Sequence, residues 1–209
     1  MGVTSHEKWV SLAGVAAIAG GVLGLLVAPL HALAYFATGE PAGLLPWREA
    51  GHAALRPLLD WGDPDVVYIS FGKVVVVVFA GFVSGLFAVS AERASYARGA
   101  ELWGLRVAAV GYPLLLAGIF VEYWTPYLEV GFVALSLPGV FLTLAGSTLL
   151  GIGQLRAGQP PRVAAWLLAL SFPIAIATTA LIGHLVAGLA VLDVAWILLG
   201  LGLTRRPMS

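Results

Sequence analysis

The sequence predicts an all-α, polytopic membrane protein with about six transmembrane helices and an interfacial helix in the first outer loop. Hydrophobic residues make up 60% of the 209 residues and charged residues only 11%, whereas a soluble domain carries about 25% charged residues. There are 26 glycines, and glycine is more frequent in membrane helices than in soluble ones. Several apolar runs reach the roughly 20 residues that a bilayer core requires. We therefore expect residues 1–209 to form a single transmembrane domain.

Short polar segments separate the apolar runs and set the predicted spans. The first run is longer than the roughly 7–15 apolar residues of a signal peptide, so we interpret it as a transmembrane helix. The stretch from Arg162 to Thr204 is too long for one span, and two helices joined by a tight turn fit it best. The predicted spans are residues 9–36, 69–90, 103–121, 130–153, 163–181 and 185–203, with residues 37–68 as a long outer loop.

The distribution of basic residues predicts the orientation. If the N-terminus lies inside, most lysines and arginines fall on the inner side, as the positive-inside rule requires. Both termini are then cytoplasmic, and we expect the protein in the plasma membrane of a prokaryote. The net charge is zero and cysteine is absent. This excludes disulfides and thiolate metal sites, and no bulk field attracts nucleic acid.

The long outer loop contains one amphipathic stretch and one acidic turn. Tryptophans flank charged and apolar residues from Trp47 to Trp61, which predicts a helix lying at the membrane surface, or a lid. Asp60, Asp63 and Asp65 follow closely, and carboxylates at this density are weak candidates for a Ca²⁺ site. The alternative is that they serve turn geometry.

Five ionisable residues in or beside the spans could take part in chemistry, and all five fall in the predicted outer half: His31, Lys73, Glu122, His184 and Asp193. Such groups are costly in a bilayer and usually face a cavity or one another. We therefore predict a polar vestibule that opens outward and is closed below by hydrocarbon side chains. Its candidate ligand-binding residues are His31, Lys73, Glu122, Tyr123, His184 and Asp193.

Lys73 and Asp193 require partners if they face the protein interior. Asp193 has no polar neighbour in sequence, and Lys73 is the only amine at a comparable depth. We expect Lys73 to turn inward to Asp193 or Glu122. The alternative is that its amine extends to the outer headgroups, as lysines near helix ends often do.

Small residues recur every four positions along the first helix. Such a stripe lets another helix approach closely. The partner is either another helix of this chain or a second protein, which includes a second copy of this chain. The stripe consists of Ala16, Gly20, Gly24 and Ala28.

The vestibule favours binding or transport of a small solute. The layout is similar to that of the substrate-binding membrane subunits of vitamin uptake systems, which also dock partners through a small-residue stripe on helix 1. The stripe and the few polar residues equally fit a non-catalytic subunit of a larger membrane complex. The lipid bilayer is the partner common to both hypotheses.

A second resemblance is to the rhomboid proteases. Trp47 and Arg48 in "PWREAGH", Ser136 in "ALSLPG" and His184 in "GHLVAGL" match that family's loop motif, nucleophile and base in order. The resemblance implies an intramembrane hydrolase in which His184 activates Ser136. Leu137 follows Ser136, whereas the family has glycine there.

Haem is the one cofactor that the histidines suggest. His31 and His184 lie at similar predicted depth on different helices, and two such histidines can hold a haem iron as axial ligands. No other cofactor is predicted.

Overall fold

The computed structural model describes residues 5–39, 47–159 and 161–205, and all regular structure in these ranges is helical. This confirms the all-α fold class. The elements are α1 (Ser5–Ala37), α2 (Trp47–Leu59), α3 (Pro64–Arg93), α4 (Gly99–Trp124), α5 (Leu128–Val130), a π-helical segment (Gly131–Ser136), α6 (Leu137–Arg156), α7 (Arg162–Ala169), α8 (Ser171–Ile182), α9 (Leu185–Gly188) and α10 (Ala190–Thr204).

Four helical stretches are long and apolar enough to cross a membrane. They are α1, α3, α4 and the continuous stretch from α5 to α6. The pair α7–α8 passes the same test as a unit but is bent by 62°, and α10 is a shorter apolar helix of 15 residues. The protein is thus a multi-pass integral membrane protein with four to five such spans, and the count of six stays a prediction.

Prolines explain two irregularities. Pro173 has no N–H to donate to Ala169, four residues earlier, and α7 ends at Ala169. Pro138 likewise cannot donate to Ala134, and the preceding segment is π-helical, with the Leu137 N–H donating to the Phe132 carbonyl. Both breaks therefore follow from local sequence.

Six of the helices form a closed ring. α1 packs between α3 and α10, α4 packs between α3 and α6, and α7 joins α6 to α10. Trp196, Tyr112 and Phe82 are among the largest fully buried side chains at its centre. The outward surface holds apolar residues such as Leu12, Val77 and Phe141, which suits contact with lipid acyl chains.

The helices α4 and α6 have the most extensive contact in the bundle, and glycines let their backbones approach closely. Both helices carry glycine every seven residues, and each glycine faces the backbone of the other helix. A methyl group at Gly111 would overlap the backbone nitrogen of Thr143, and one at Gly146 would meet Ala108. The two sets are Gly104, Gly111 and Gly118 on α4, and Gly139, Gly146 and Gly153 on α6.

The predicted stripe on α1 packs within this chain. Gly20, Gly24 and Ala28 are buried, and Gly20 lies against the backbone of α3 near Val78. The carbonyl of Ala16 contacts Gly81 of the same helix. Of the two alternatives for this stripe, packing against other helices of this chain is the one observed, because α3 and α10 cover it. A protein partner on another surface stays a prediction.

The amphipathic helix α2 lies across one end of the bundle, which we call the α2 end. Gly51 and Trp47 pack against the end of α1 through Leu33 and Phe36. The Arg48 side chain donates a hydrogen bond to the Phe36 carbonyl. The predicted helix in this loop is confirmed, and it anchors the loop to α1.

Candidate functional site

His31, near the end of α1, lies at the centre of an aromatic cluster at the α2 end. The ring is fully buried, and neither nitrogen has a hydrogen-bond partner within the described part of the chain. It stacks on Tyr68 of α3, with ring centres 4.7 Å apart and planes 4° from parallel. Tyr123 of α4 meets it edge-on at 5.4 Å. Three helices thus fix its position.

A left-handed glycine brings His184 into the same cluster. Gly183 has a φ of 80° and ends α8, so the chain turns back and His184 precedes α9. The His184 ring meets His31 edge-on at 4.9 Å and Tyr35 at 5.1 Å. Its Nδ1 is buried and has no hydrogen-bond partner among the described residues.

Two of the three tyrosines in the cluster are hydrogen-bonded to each other. The hydroxyls of Tyr68 and Tyr123 share a hydrogen bond of 2.9 Å. Gly72, one turn along α3 from Tyr68, leaves the space that the Tyr123 ring occupies, because a methyl group there would overlap the ring. The small residue therefore positions the aromatic one.

Glu122 is held by Ser136 at the junction of α4 and the π-helical segment. The Ser136 hydroxyl donates a hydrogen bond to the Glu122 carboxylate, and both residues are buried. The close approach of Gly118 to the Ser136 backbone allows this contact. The π-helical geometry adds a residue to one turn and so shifts the seven-residue glycine spacing by one position. The glycine that precedes Gly139 is therefore at residue 131 instead of 132, and Gly131 faces Glu122.

A partly open cavity of about 70 Å³ lies beside the Tyr68–Tyr123 and Glu122–Ser136 pairs. A drug-sized ligand requires roughly 300–1,000 Å³, so this cavity suits a much smaller molecule. The rest of its wall is apolar, with Phe79, Leu115 and Leu189 among its residues. Its polar lining consists of Tyr68, Glu122, Tyr123, Ser136 and His184.

Two predicted vestibule residues lie elsewhere. The Lys73 ammonium stands 5.3 Å from the Trp124 ring centre, and it forms no ion pair with Asp193 or Glu122. The expected inward pairing is therefore wrong, because a cation–π contact holds the amine instead. Asp193 lies in the first turn of α10, and its carboxylate packs against Gly24. Within the described residues it accepts no hydrogen bond.

A second polar group lies deeper in the bundle and corrects the expected hydrocarbon plug. Trp196 donates a hydrogen bond of 2.8 Å to the Tyr112 hydroxyl, which lies 2.9 Å from the Ser147 hydroxyl. Thr143, one turn from Ser147, is also buried. Tyr112 precedes Glu122 by ten residues of α4, which is about 15 Å. Buried polar side chains therefore continue below the cavity.

Ser136 and His184 do not form the hydrogen bond that the hydrolase alternative requires. A Ser–His dyad requires the serine hydroxyl to donate to the imidazole, whereas Ser136 donates to Glu122. The dyad is therefore not formed here.

The rings of His31 and His184 touch directly, and a haem would require them to separate, because the porphyrin lies between its two axial ligands. The haem site stays a prediction.

The acidic turn before α3 has structural contacts. The Asp63 carboxylate caps α3 by accepting a hydrogen bond of 3.0 Å from the Asp65 N–H. Asp60 contacts His52 at 3.3 Å and Arg56 at 3.5 Å. Among the described residues, no group of three or more His, Asp or Glu side chains is arranged to hold a metal ion. The Ca²⁺ site therefore gains no support.

Tyr35 and Tyr68 belong to the cluster although the sequence analysis did not select them. Tyr68 fell outside the predicted span of residues 69–90, whereas α3 begins at Pro64. The sequence indicates this earlier start of α3, because an Asp–Pro pair such as Asp63–Pro64 is a typical helix start. Extending the helix by five residues would have put Tyr68 inside it.

No known protein family, no curated protein and no solved structure matches this chain.

Proposed function

We propose that this membrane protein binds a small hydrogen-bonding solute in the cavity at the α2 end. The observation that carries the proposal is the His184 Nδ1 atom. It is buried, it has no hydrogen-bond partner among the described residues, and its side chain lines a cavity inside a transmembrane bundle. A buried polar atom of this kind costs about 1–3 kcal/mol when it is unpaired. A solute that hydrogen-bonds to it recovers that free energy.

The polar lining defines the chemistry of the solute. A neutral imidazole nitrogen offers one donor or one acceptor, a tyrosine hydroxyl offers both, and a carboxylate accepts. His184, Tyr123 and Glu122 present these groups around an otherwise apolar wall. The solute therefore has at least one donor and one acceptor and is compact.

The cavity volume limits the size of the solute. About 70 Å³ corresponds to the volume of roughly two water molecules. Formamide, acetamide and methanol fit this limit, and each has both a donor and an acceptor. A vitamin-sized ligand requires several times more space.

The proposal extends to transport through the deeper polar group. Tyr112, Ser147 and Trp196 form a hydrogen-bonded chain below the cavity, and Asp193 lies one turn before Trp196 on α10. Buried ionisable groups in membranes commonly mark the path of an ion or substrate. A solute or proton leaving the cavity meets these groups next.

Replacing His184 by phenylalanine tests the binding site. We expect formamide, acetamide or methanol at millimolar concentration to raise the melting temperature of the detergent-solubilised protein, because a ligand that binds only the folded state stabilises it. His184→Phe keeps an aromatic ring and removes both nitrogens, so the shift should disappear. Differential scanning fluorimetry across a concentration series measures it.

His52→Phe is the matched control. His52 lies on α2, outside the cavity, and contacts Asp60. The shift should persist in this variant. If none of the three probes stabilises the wild-type protein, or if His184→Phe responds as the wild type does, the proposed site is wrong.

A further inference from the structure

The end of the bundle opposite α2 carries an open cavity of about 520 Å³. It lies between the turn that joins α3 to α4 and the C-terminal end of α6. Three arginines line it, Arg93, Arg98 and Arg156, together with the single carboxylate of Glu101. We call these four residues and the space between them the arginine pocket.

The charges in the arginine pocket do not cancel. Arg93 donates to both carboxylate oxygens of Glu101, at 2.6 and 3.0 Å, so this pair is neutral. Arg98 donates one hydrogen bond, to the Ala97 carbonyl, and forms no ion pair within the described residues. Arg156 forms neither a hydrogen bond nor an ion pair with any described residue. Two exposed guanidinium groups therefore face the cavity without an acidic partner.

The first turn of α4 adds backbone donors to the same cavity. Gly99, Ala100 and Glu101 line it, and the preceding residue, Arg98, makes no side-chain cap. The first N–H groups of a helix have no intrahelical acceptor, and such a terminus attracts anions. Arginine binds phosphate through two parallel hydrogen bonds. We propose that the arginine pocket binds a phosphate group, that of an anionic phospholipid.

Adjacent exposed aromatics favour a lipid as the source of the phosphate. Tyr96 lines the pocket and is 62% exposed, and Trp103, one turn into α4, is 59% exposed. Tyrosine and tryptophan concentrate at the membrane–water interface. Basic pockets between transmembrane helices bind anionic headgroups. A headgroup in the pocket would therefore place its acyl chains along the apolar surface of α4.

Native mass spectrometry of the full-length protein in detergent tests the proposal. Phosphatidylglycerol and phosphatidylcholine are titrated against the wild type, the double variant Arg98→Gln/Arg156→Gln, and the control Arg106→Gln/Arg162→Gln. The control removes the same charge from exposed arginines outside the pocket. We expect phosphatidylglycerol to bind the pocket variant roughly tenfold more weakly, because two solvent-exposed charged contacts to the phosphate are lost.

Further measurements separate the outcomes. The wild-type preference for phosphatidylglycerol should fall as salt rises, because exposed charges are screened. Competition by millimolar inorganic phosphate would support recognition of the phosphate itself. Binding of inorganic phosphate without phosphatidylglycerol would overturn the lipid source. Equal binding of the two lipids, or equal loss in both double variants, would overturn the site. The site is at the opposite end from the proposed solute cavity, so either can fail alone.

Discussion

The absence of a side chain at Gly24 leaves room for the buried carboxylate of Asp193. Its side chain is 5% exposed and lies against Gly24 of α1. A methyl group at Gly24 would lie 2.6 Å from the Asp193 carboxyl carbon, closer than real Cβ contacts allow. The expected partner of this carboxylate was a lysine, but the residue against which it packs is a glycine.

We expect Gly24→Ala to destabilise the protein by about 1–3 kcal/mol, because the added methyl forces the carboxylate or α10 to move. The melting temperature in detergent measures this loss. Adding Asp193→Ala should recover part of it, because the two side chains share one space.

Gly62→Ala is the control for this prediction. A methyl group at Gly62 has only Val67 near it, at 4.0 Å, so its melting temperature should stay close to that of the wild type. Strictly additive effects of Gly24→Ala and Asp193→Ala would show that the two residues are not in contact.

The α4–α6 pair is the element that positions the candidate site. Glycines every seven residues bring the two backbones together, and Ser136 thereby reaches Glu122. The π-helical segment before Pro138 changes the helix phase at this point. Close backbone contact at small residues is a major source of helix association in membranes. The site therefore depends on packing along the whole length of both helices.

We expect Gly111→Ala to lower the free energy of unfolding by about 3 kcal/mol. The added methyl group would overlap the backbone of Thr143, and no side-chain rotation can relieve that overlap. The change lies one turn from Leu115, which lines the cavity, and it should weaken the thermal shift caused by a bound solute.

Gly202→Ala is the matched control, since a methyl group there meets only Pro161, at 3.6 Å. Equal melting temperatures for the two variants would contradict the close packing of α4 on α6.

At the scale of the whole molecule, the arrangement in the membrane follows from the number of spans. The ring of α1, α3, α4, α6, α7 and α10 favours six crossings, with α7–α8 as one bent span and α10 as the last. In that case the α3–α4 turn, the α6–α7 turn and the end of α10 share one side. The α2 end faces the other side.

Cysteine labelling tests this arrangement, because the natural chain has no cysteine. We expect Ser95→Cys, Gly158→Cys and Arg205→Cys to react with an impermeant maleimide from the cytoplasmic side only. Asp60→Cys should react from the outside of intact cells, and the unmodified chain is the background control.

Labelling of Arg205→Cys from the same side as Asp60→Cys would show five crossings. Labelling of Ser95→Cys from outside would reverse the predicted orientation.

Local sequence properties determined the elements of this protein. Hydropathy over about 20 residues, proline and the Asp63–Pro64 helix start act on neighbouring positions, so the helices, the amphipathic α2 and the break near Pro173 were predictable. The seven-residue glycine spacing was also readable, although the sequence analysis followed only the four-residue stripe on α1. These signals depend on periodicity along one chain segment.

Only the tertiary structure decided which side chains meet. The rotation of each helix about its axis depends on contacts with residues far along the chain, as when Gly72 accommodates Tyr123 or Gly24 accommodates Asp193. His31, Glu122, Tyr123 and His184 were selected by residue type and depth, and they do gather at one end. Lys73 had the same depth but faces Trp124, because depth does not specify direction around a helix.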